Sequence, residues 1–100
     1  MRITLATALV MQAIGAGHCH GFEIVDVTGY PTGTVYPALR RLERDGYVRS
    51  EWEPERVASR NGRPARRYYE LTVSGVKALD AALATLRHFE AARLRMKHAR

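Results

Sequence analysis

Two blocks separated by one short segment constrain this chain more than anything else in it. From Thr32 to Asp45, Val35, Leu39 and Leu42 recur at the spacing of a helix with one buried stripe. The opposite side of that helix carries Gly33, Pro37, Arg40, Arg41 and Arg44. In the second block, Gly62-Arg63-Pro64-Ala65 leads into a run where Arg67, Tyr69 and Leu71 alternate with Arg66, Tyr68 and Glu70. That alternation is the pattern of a half-buried strand. A short helix with a cationic outer face is therefore followed by an arginine-rich hairpin.

The rest of the chain supplies what such a pair needs. Ile3, Leu5, Leu9, Val10, Ala13 and Ile14 suit a first helix with one broad buried face, ended by Gly15 and Gly17. A second helix over 21–28 turns Phe22, Ile24 and Val25 toward the core. Gly29-Tyr30-Pro31 is a turn, Thr32 reads as the N-cap of the third helix, and Gly46 closes that helix. Pro37 removes a backbone hydrogen bond to the carbonyl of Gly33, a local violation of the kind found at functional surfaces. Val48, Ser50 and Trp52 then alternate with Arg49, Glu51 and Glu53 as an outgoing strand, and 54–65 reads as a polar loop. Thr72 caps a last helix in which Val76, Leu79, Leu83, Leu86 and Phe89 form a seam. From Val73 to Met96 that helix is roughly 36 Å long, more than the preceding residues can cover, so its seam is expected to meet a second chain. The fold class is mainly α with a two-stranded β wing (α+β), a winged helix-turn-helix with a long C-terminal dimerisation helix. Its expected division is a winged-helix domain over 1–72 and a dimerisation helix with basic tail over 73–100.

Charge and chemistry narrow the function. A net charge of +6 on 100 residues suits an anionic partner. The single cysteine, Cys19, allows no internal disulfide, and the apolar run from Ile3 to Ile14 is too short to span a bilayer. A cytoplasmic protein without a membrane role is expected. No serine elbow, paired carboxylates or glycine-rich phosphate loop supports catalysis, so neither an enzyme nor a bound cofactor is expected. His18, Cys19 and His20 invite a metal- or redox-responsive reading, but no second cluster completes a ligand set and no resolving thiol accompanies Cys19. No metal is assigned. A winged helix used only for protein interaction is a further alternative. Against it, Arg60, Arg63, Arg66 and Arg67 fall within eight residues that contain no acid.

His20-Gly21-Phe22-Glu23-Ile24, Gly33-Thr34-Val35-Tyr36-Pro37-Ala38-Leu39 with Arg41-Leu42-Glu43 and Gly46, Ser50 with Trp52, and Gly62-Arg63 through Tyr69-Glu70-Leu71-Thr72 with Gly75 together resemble the PadR family. These are bacterial winged-helix transcriptional regulators, mostly repressors. The resemblance runs over most of the chain and is nearest to the small members with a single C-terminal helix. It implies a homodimer built on the first and last helices, operator binding through the third helix and the wing, and a small-molecule effector as a further partner. Some relatives hold flat aromatic effectors where the terminal helices meet. This chain departs from several drug-sensing relatives at Leu86, where they place a tryptophan.

The expected partner is thus double-stranded DNA with a pseudo-palindromic operator, read by helix 32–45 in the major groove and by wing 54–65 at the minor groove. Thr32, Thr34 and Tyr36 stand where a helix N-terminus meets phosphate. Arg40 and Arg41 suit guanine edges or phosphates, and Arg44 suits a solvated face beside Asp45. Arg63, held extended by Pro64, suits insertion into a narrow minor groove, while Arg66 and Arg67 suit phosphates. Arg93, Arg95, Lys97 and Arg100 form a basic tail expected to fray in solvent.

Overall fold

The computed structural model describes residues 3–98; Arg100 of the basic tail lies outside them. Seven elements follow in order: α1 (Leu5–Gly15), α2 (Gly21–Thr28), α3 (Thr32–Arg44), β1 (Val48–Trp52), α4 (Glu55–Arg60), β2 (Arg67–Leu71) and α5 (Val73–His98). The strands pair antiparallel, from Val48 opposite Leu71 to Trp52 opposite Arg67. The turn before α2 joins their edge: Tyr69 N–H donates to the Cys19 carbonyl at 2.8 Å, and His20 bridges Tyr68.

One core holds these pieces together. Val10, Met11 and Ile14 of α1 meet Ile24 of α2, the Val35, Ala38, Leu39 and Leu42 stripe of α3, and Val48 and Tyr69 of the wing. The α3 stripe was legible because polar residues fill its other side. In α1, which is apolar nearly all round, the buried face is rotated from the one expected. Thr7 and Met11 are buried while Leu5 is exposed. Thr7 tolerates burial because its Oγ1 accepts from Thr4 Oγ1 at 3.0 Å.

Three expectations about local structure need correction. Thr32 is the first residue of α3, not its cap; Pro31 occupies the cap position, and its carbonyl accepts from Thr34 and Val35 N–H at 2.9 and 3.1 Å. Phe22 does not enter the core but stands 68% exposed at the start of α2. The 54–65 segment is not all loop: α4 starts after Pro54, whose fixed φ suits a helix start, and buries Ala58.

The start of α5 is bolted to the end of α3. Gly46, at φ 79°, ends the α3 turn; its carbonyl accepts from Thr72 Oγ1 at 2.6 Å, and Thr72 Oγ1 in turn caps Gly75 N–H at 3.0 Å. The Tyr47 carbonyl accepts from Thr72 N–H at 3.1 Å and lies directly over Gly75, leaving no room for a side chain there. Along α5, Gly75, Leu79, Ala82, Leu86 and Phe89 recur at alternating four- and three-residue steps. Leu79 is 7% exposed and belongs to the chain's own core, with Ala82 and Leu83 packed beside it. Leu86 and Phe89 continue the stripe past the end of that core and are exposed, Phe89 by 67%. Val76 is exposed as well.

Candidate nucleic-acid interface

The first turn of α3 presents two free backbone donors. The N–H groups of Thr32 and Gly33 have no acceptor among the described residues, and both residues are exposed. Such donors, at the positive end of a helix dipole, suit an anionic oxygen. Thr34 lies half-buried beside them. Tyr36 is held in place: its ring meets Phe22 edge-on at 6.3 Å, and its hydroxyl abuts Gly21 so closely that a side chain at 21 would collide with it. Further along, Arg40 and Arg41 are exposed and have no acidic partner among the described residues. Arg44 pairs with Asp45 at 3.2 Å, as its solvated-face reading expected.

The wing arginines divide into two groups, which composition alone did not reveal. Arg63 turns inward. Its guanidinium donates through both Nη atoms to Glu53, at 2.6 and 3.0 Å. The Glu53 side chain is only 6% exposed, and it also accepts from Arg66 N–H at 3.4 Å and Tyr68 Oη at 3.3 Å. The hydrogen bonds from Arg63 are the main cause holding its carboxyl down at about 2, strengthened by the Arg66 N–H, the Arg63 charge and Tyr68 against the opposing effect of burial. Seen only within its own eight residues, the wing had no acid; its acid comes from the opposite side of α4. Arg63 therefore ties the wing tip to its root, and as placed both its Nη atoms are engaged, by Glu53 and by the Pro64 carbonyl.

Arg67 is a connector too. Its Nε donates to Ser50 Oγ at 2.8 Å and its Nη2 to both Glu43 oxygens at 3.1 and 3.3 Å, while Ser50 Oγ donates to Glu43 at 2.7 Å. Glu43 thereby joins α3 to both strands. Glu43 entered the sequence reading as a motif position, Ser50 as a motif and strand position and Glu53 as a strand residue; none was expected to hold a wing arginine, and Glu43, on α3, has no strand register that would pair it with Arg67. Arg66 and Arg60, by contrast, have no acidic partner among the described residues.

Between the helices and the wing lies a cleft of about 330 Å³. Phe22 and Tyr36 line it from α2 and α3, Trp52 and Tyr69 from the strands, and Arg66 and Arg67 from the wing. The Arg67 guanidinium sits 5.6 Å from the centre of the Trp52 ring and 6.0 Å from that of Tyr69. Contrary to its place in the strand alternation, Trp52 is 62% exposed.

His18 and His20 both turn to Glu23, at 2.6 and 3.2 Å. Among the described residues no three His, Cys, Asp or Glu side chains are arranged to hold a metal ion. Burial, and then Glu23 and Glu70, push the Cys19 thiol up from its ordinary range, which disfavours the reactive thiolate. No helix among the described residues is long and apolar enough to cross a membrane. At the other end of the molecule, an open depression of about 510 Å³ lies between the start of α1 and α5, lined by Ile3, Leu5, Ala82, Leu86 and Phe89.

Known proteins share this architecture. A PadR family transcription regulator from Clostridium difficile R20291 superposes with a TM-score of 0.81 at 22% identity, covering 93% of this chain and 98% of that one. The smu.1704 protein of Streptococcus mutans UA159 gives 0.77 at 20% identity over 100% of this chain and 96% of that one. A PadR family transcriptional regulator from Eggerthella lenta DSM 2243 gives 0.74 at 23% identity over 93% and 84%. No curated protein matches the sequence. The family profile described as the transcriptional regulator PadR-like family matches residues 10–81, from the core of α1 to the first part of α5. The chain belongs to the PadR-like family of transcriptional regulators.

Proposed function

We propose that this regulator is a dimeric repressor that binds a pseudo-palindromic duplex, with α3 in the major groove and the wing at the minor groove. The observation that carries the reading is the sorting of the arginines. Arg67, which joins the wing to α3, and Arg63, which ties the wing tip to its root, are neutralised by Glu43 and Glu53, whereas Arg40, Arg41, Arg60 and Arg66 have no acidic partner among the described residues. A fixed scaffold carrying uncompensated cations suits a polyanion of regular shape. Arg40 and Arg41 take base edges or phosphates, and the Thr32 and Gly33 N–H groups with Thr34 and Tyr36 take the backbone. At the wing, Arg66 and the remaining donors of Arg67 take phosphates. Arg63 contributes by ordering the wing, and reaches the minor groove itself only if it leaves Glu53.

A second copy of the chain covers Leu86 and Phe89 together with Ile3 and Leu5, since the α5 stripe runs on past the core with no further part of the described chain to bury it. Two-fold symmetry then sets two α3 helices toward half-sites about one helical turn apart or a multiple of it. Repression follows from competition with polymerase, relieved where an effector changes the spacing of those helices.

Duplexes selected from host genomic fragments test the reading. Arg41→Ala is expected to lower preference for the selected duplex over random DNA by about 1–3 kcal/mol per half-site. An unchanged ratio with strong binding removes α3 as the reading element. Leu86→Glu with Phe89→Glu is expected to give folded monomers in sedimentation. A dimer that survives this double change overturns the interface. Leu79→Glu is unsuitable, because Leu79 sits in the chain's own core.

A further inference from the structure

Phe22 and Trp52 stand out as large aromatic side chains left mostly in water on the face that carries α3 and the wing, and both line the same cleft. We infer that this cleft seats the sugar–phosphate backbone of one DNA strand, with Trp52 and Phe22 against deoxyribose faces and Arg66 and Arg67 on the flanking phosphates. The inference rests on the DNA-binding reading and names the contact that reading leaves open. If α3 occupies a major groove and the wing the adjoining minor groove, what separates the grooves is one backbone strand, and it must pass between the two elements. The cleft lies in that position, floored by Tyr69 of β2 and walled by Tyr36 of α3.

Its chemistry fits an occupant of alternating character. A backbone strand presents an anionic phosphate, then an apolar sugar face, then a phosphate again. The cleft presents aromatic surface from α2 and β1 with a guanidinium on the wing side. Arg67 already lies over Trp52 at 5.6 Å, so one aromatic face and one cation are held in fixed relation. Arg67 is anchored through Nε and Nη2, which fixes the group without using all its donors. Arg66 has no acidic partner among the described residues. Backbone contacts carry no sequence information, so this cleft raises affinity and sets register rather than choosing the operator.

Trp52 is the only tryptophan in the chain and lines the cleft, so tryptophan emission reports on its surroundings there. The probe is an end-labelled duplex of mixed sequence at low salt, followed by anisotropy and by Trp52 emission in parallel. Emission is expected to change saturably along the anisotropy curve. Trp52→Ala and Phe22→Ala are each expected to weaken binding roughly five- to tenfold, while Trp52→Phe keeps most of the affinity. The aromatic variants should leave the salt slope as it is, whereas Arg66→Ala flattens it by about one unit per phosphate contact. Both aromatic side chains are exposed, so the variants should retain the fold, which far-UV circular dichroism checks. Duplex binding by anisotropy with unchanged Trp52 emission and full affinity in both alanine variants overturns the cleft assignment alone. A wild-type chain that binds no duplex overturns the DNA-binding reading, and this inference with it.

Discussion

Adding one methyl group at position 33 should move stability and DNA binding in opposite directions. Gly33 is the second residue of α3, its φ lies outside the left-handed region, and a Cβ built there meets nothing within 4 Å. Replacing glycine by alanine at a helical site without strain reduces the freedom of the unfolded chain and is expected to stabilise by about 0.4–1 kcal/mol. For a domain of this size that raises Tm by roughly 2–8 °C, with the first turn of a helix favouring the lower end. Binding responds to the other consequence of the same open space. The free N–H groups of Thr32 and Gly33 reach a phosphate oxygen only if it comes within about 3 Å of the backbone. A methyl on the same turn occupies part of that approach, and a loss of at least about fivefold in affinity is expected, near 1 kcal/mol.

Thermal melting by circular dichroism and duplex titration by anisotropy read the two effects on one preparation of Gly33→Ala. A higher Tm with unchanged affinity refutes the close approach of the α3 backbone to DNA. A lower Tm refutes the open helical environment assigned to position 33. Only a rise in Tm together with weaker binding fits a glycine kept for contact.

Gly75→Ala has the opposite stability sign, because a Cβ at 75 would lie 1.9 Å from the Tyr47 carbonyl oxygen. Backbone against backbone cannot yield locally, so α5 must shift; a loss of about 1–3 kcal/mol is expected, and an unchanged Tm refutes this packing. The Glu53 carboxyl, held at about 2 against an ordinary 4.5, contributes stability that is full above 4.5 and lost as pH falls through about 2. The Tm gap between wild type and Glu53→Gln is therefore expected to narrow as pH is lowered across that window, and a constant gap refutes the charged wing lock.

What the sequence disclosed depended on whether each residue's role follows a short-range period. Val35, Leu39 and Leu42 announced their face because polar residues fill the rest of α3. The two strands were legible from alternation on both sides of 54–65, but their pairing was not read, and exposed Trp52 departs from the alternation. α1 lacked a polar side, so nothing in its sequence told which face Thr7 or Leu5 would occupy. The surface proposed for DNA followed the same rule. Arg40 and Arg41 could be placed from helical spacing, but Arg63 and Arg67 could not be separated from Arg66. Their partners, Glu53 and Glu43, lie ten and 24 residues away across a helix and a strand turn. α4 was hidden because a six-residue helix in a polar segment owes its existence to Ala58 being buried, not to its own pattern.

The long-range ties that the sequence hid also give the molecule a mechanical path from one functional end to the other. α5 carries the stripe assigned to a second chain, and α3 carries the cations assigned to DNA. Between them stands a two-residue bridge, Gly46 and Tyr47, whose carbonyls accept from Thr72 Oγ1 at 2.6 Å and Thr72 N–H at 3.1 Å. Gly75 closes against the same Tyr47 carbonyl, so no soft side chain absorbs a change in the angle of α5. At its other side α3 is fixed to the wing through Glu43, Ser50 and Arg67. In the proposed dimer, whatever reorients α5 against the second chain would therefore carry α3 and the wing along with it. On that proposal, a small change at the protruding end of α5 would become a change in the distance between the two α3 helices, which is the quantity a two-fold operator would measure.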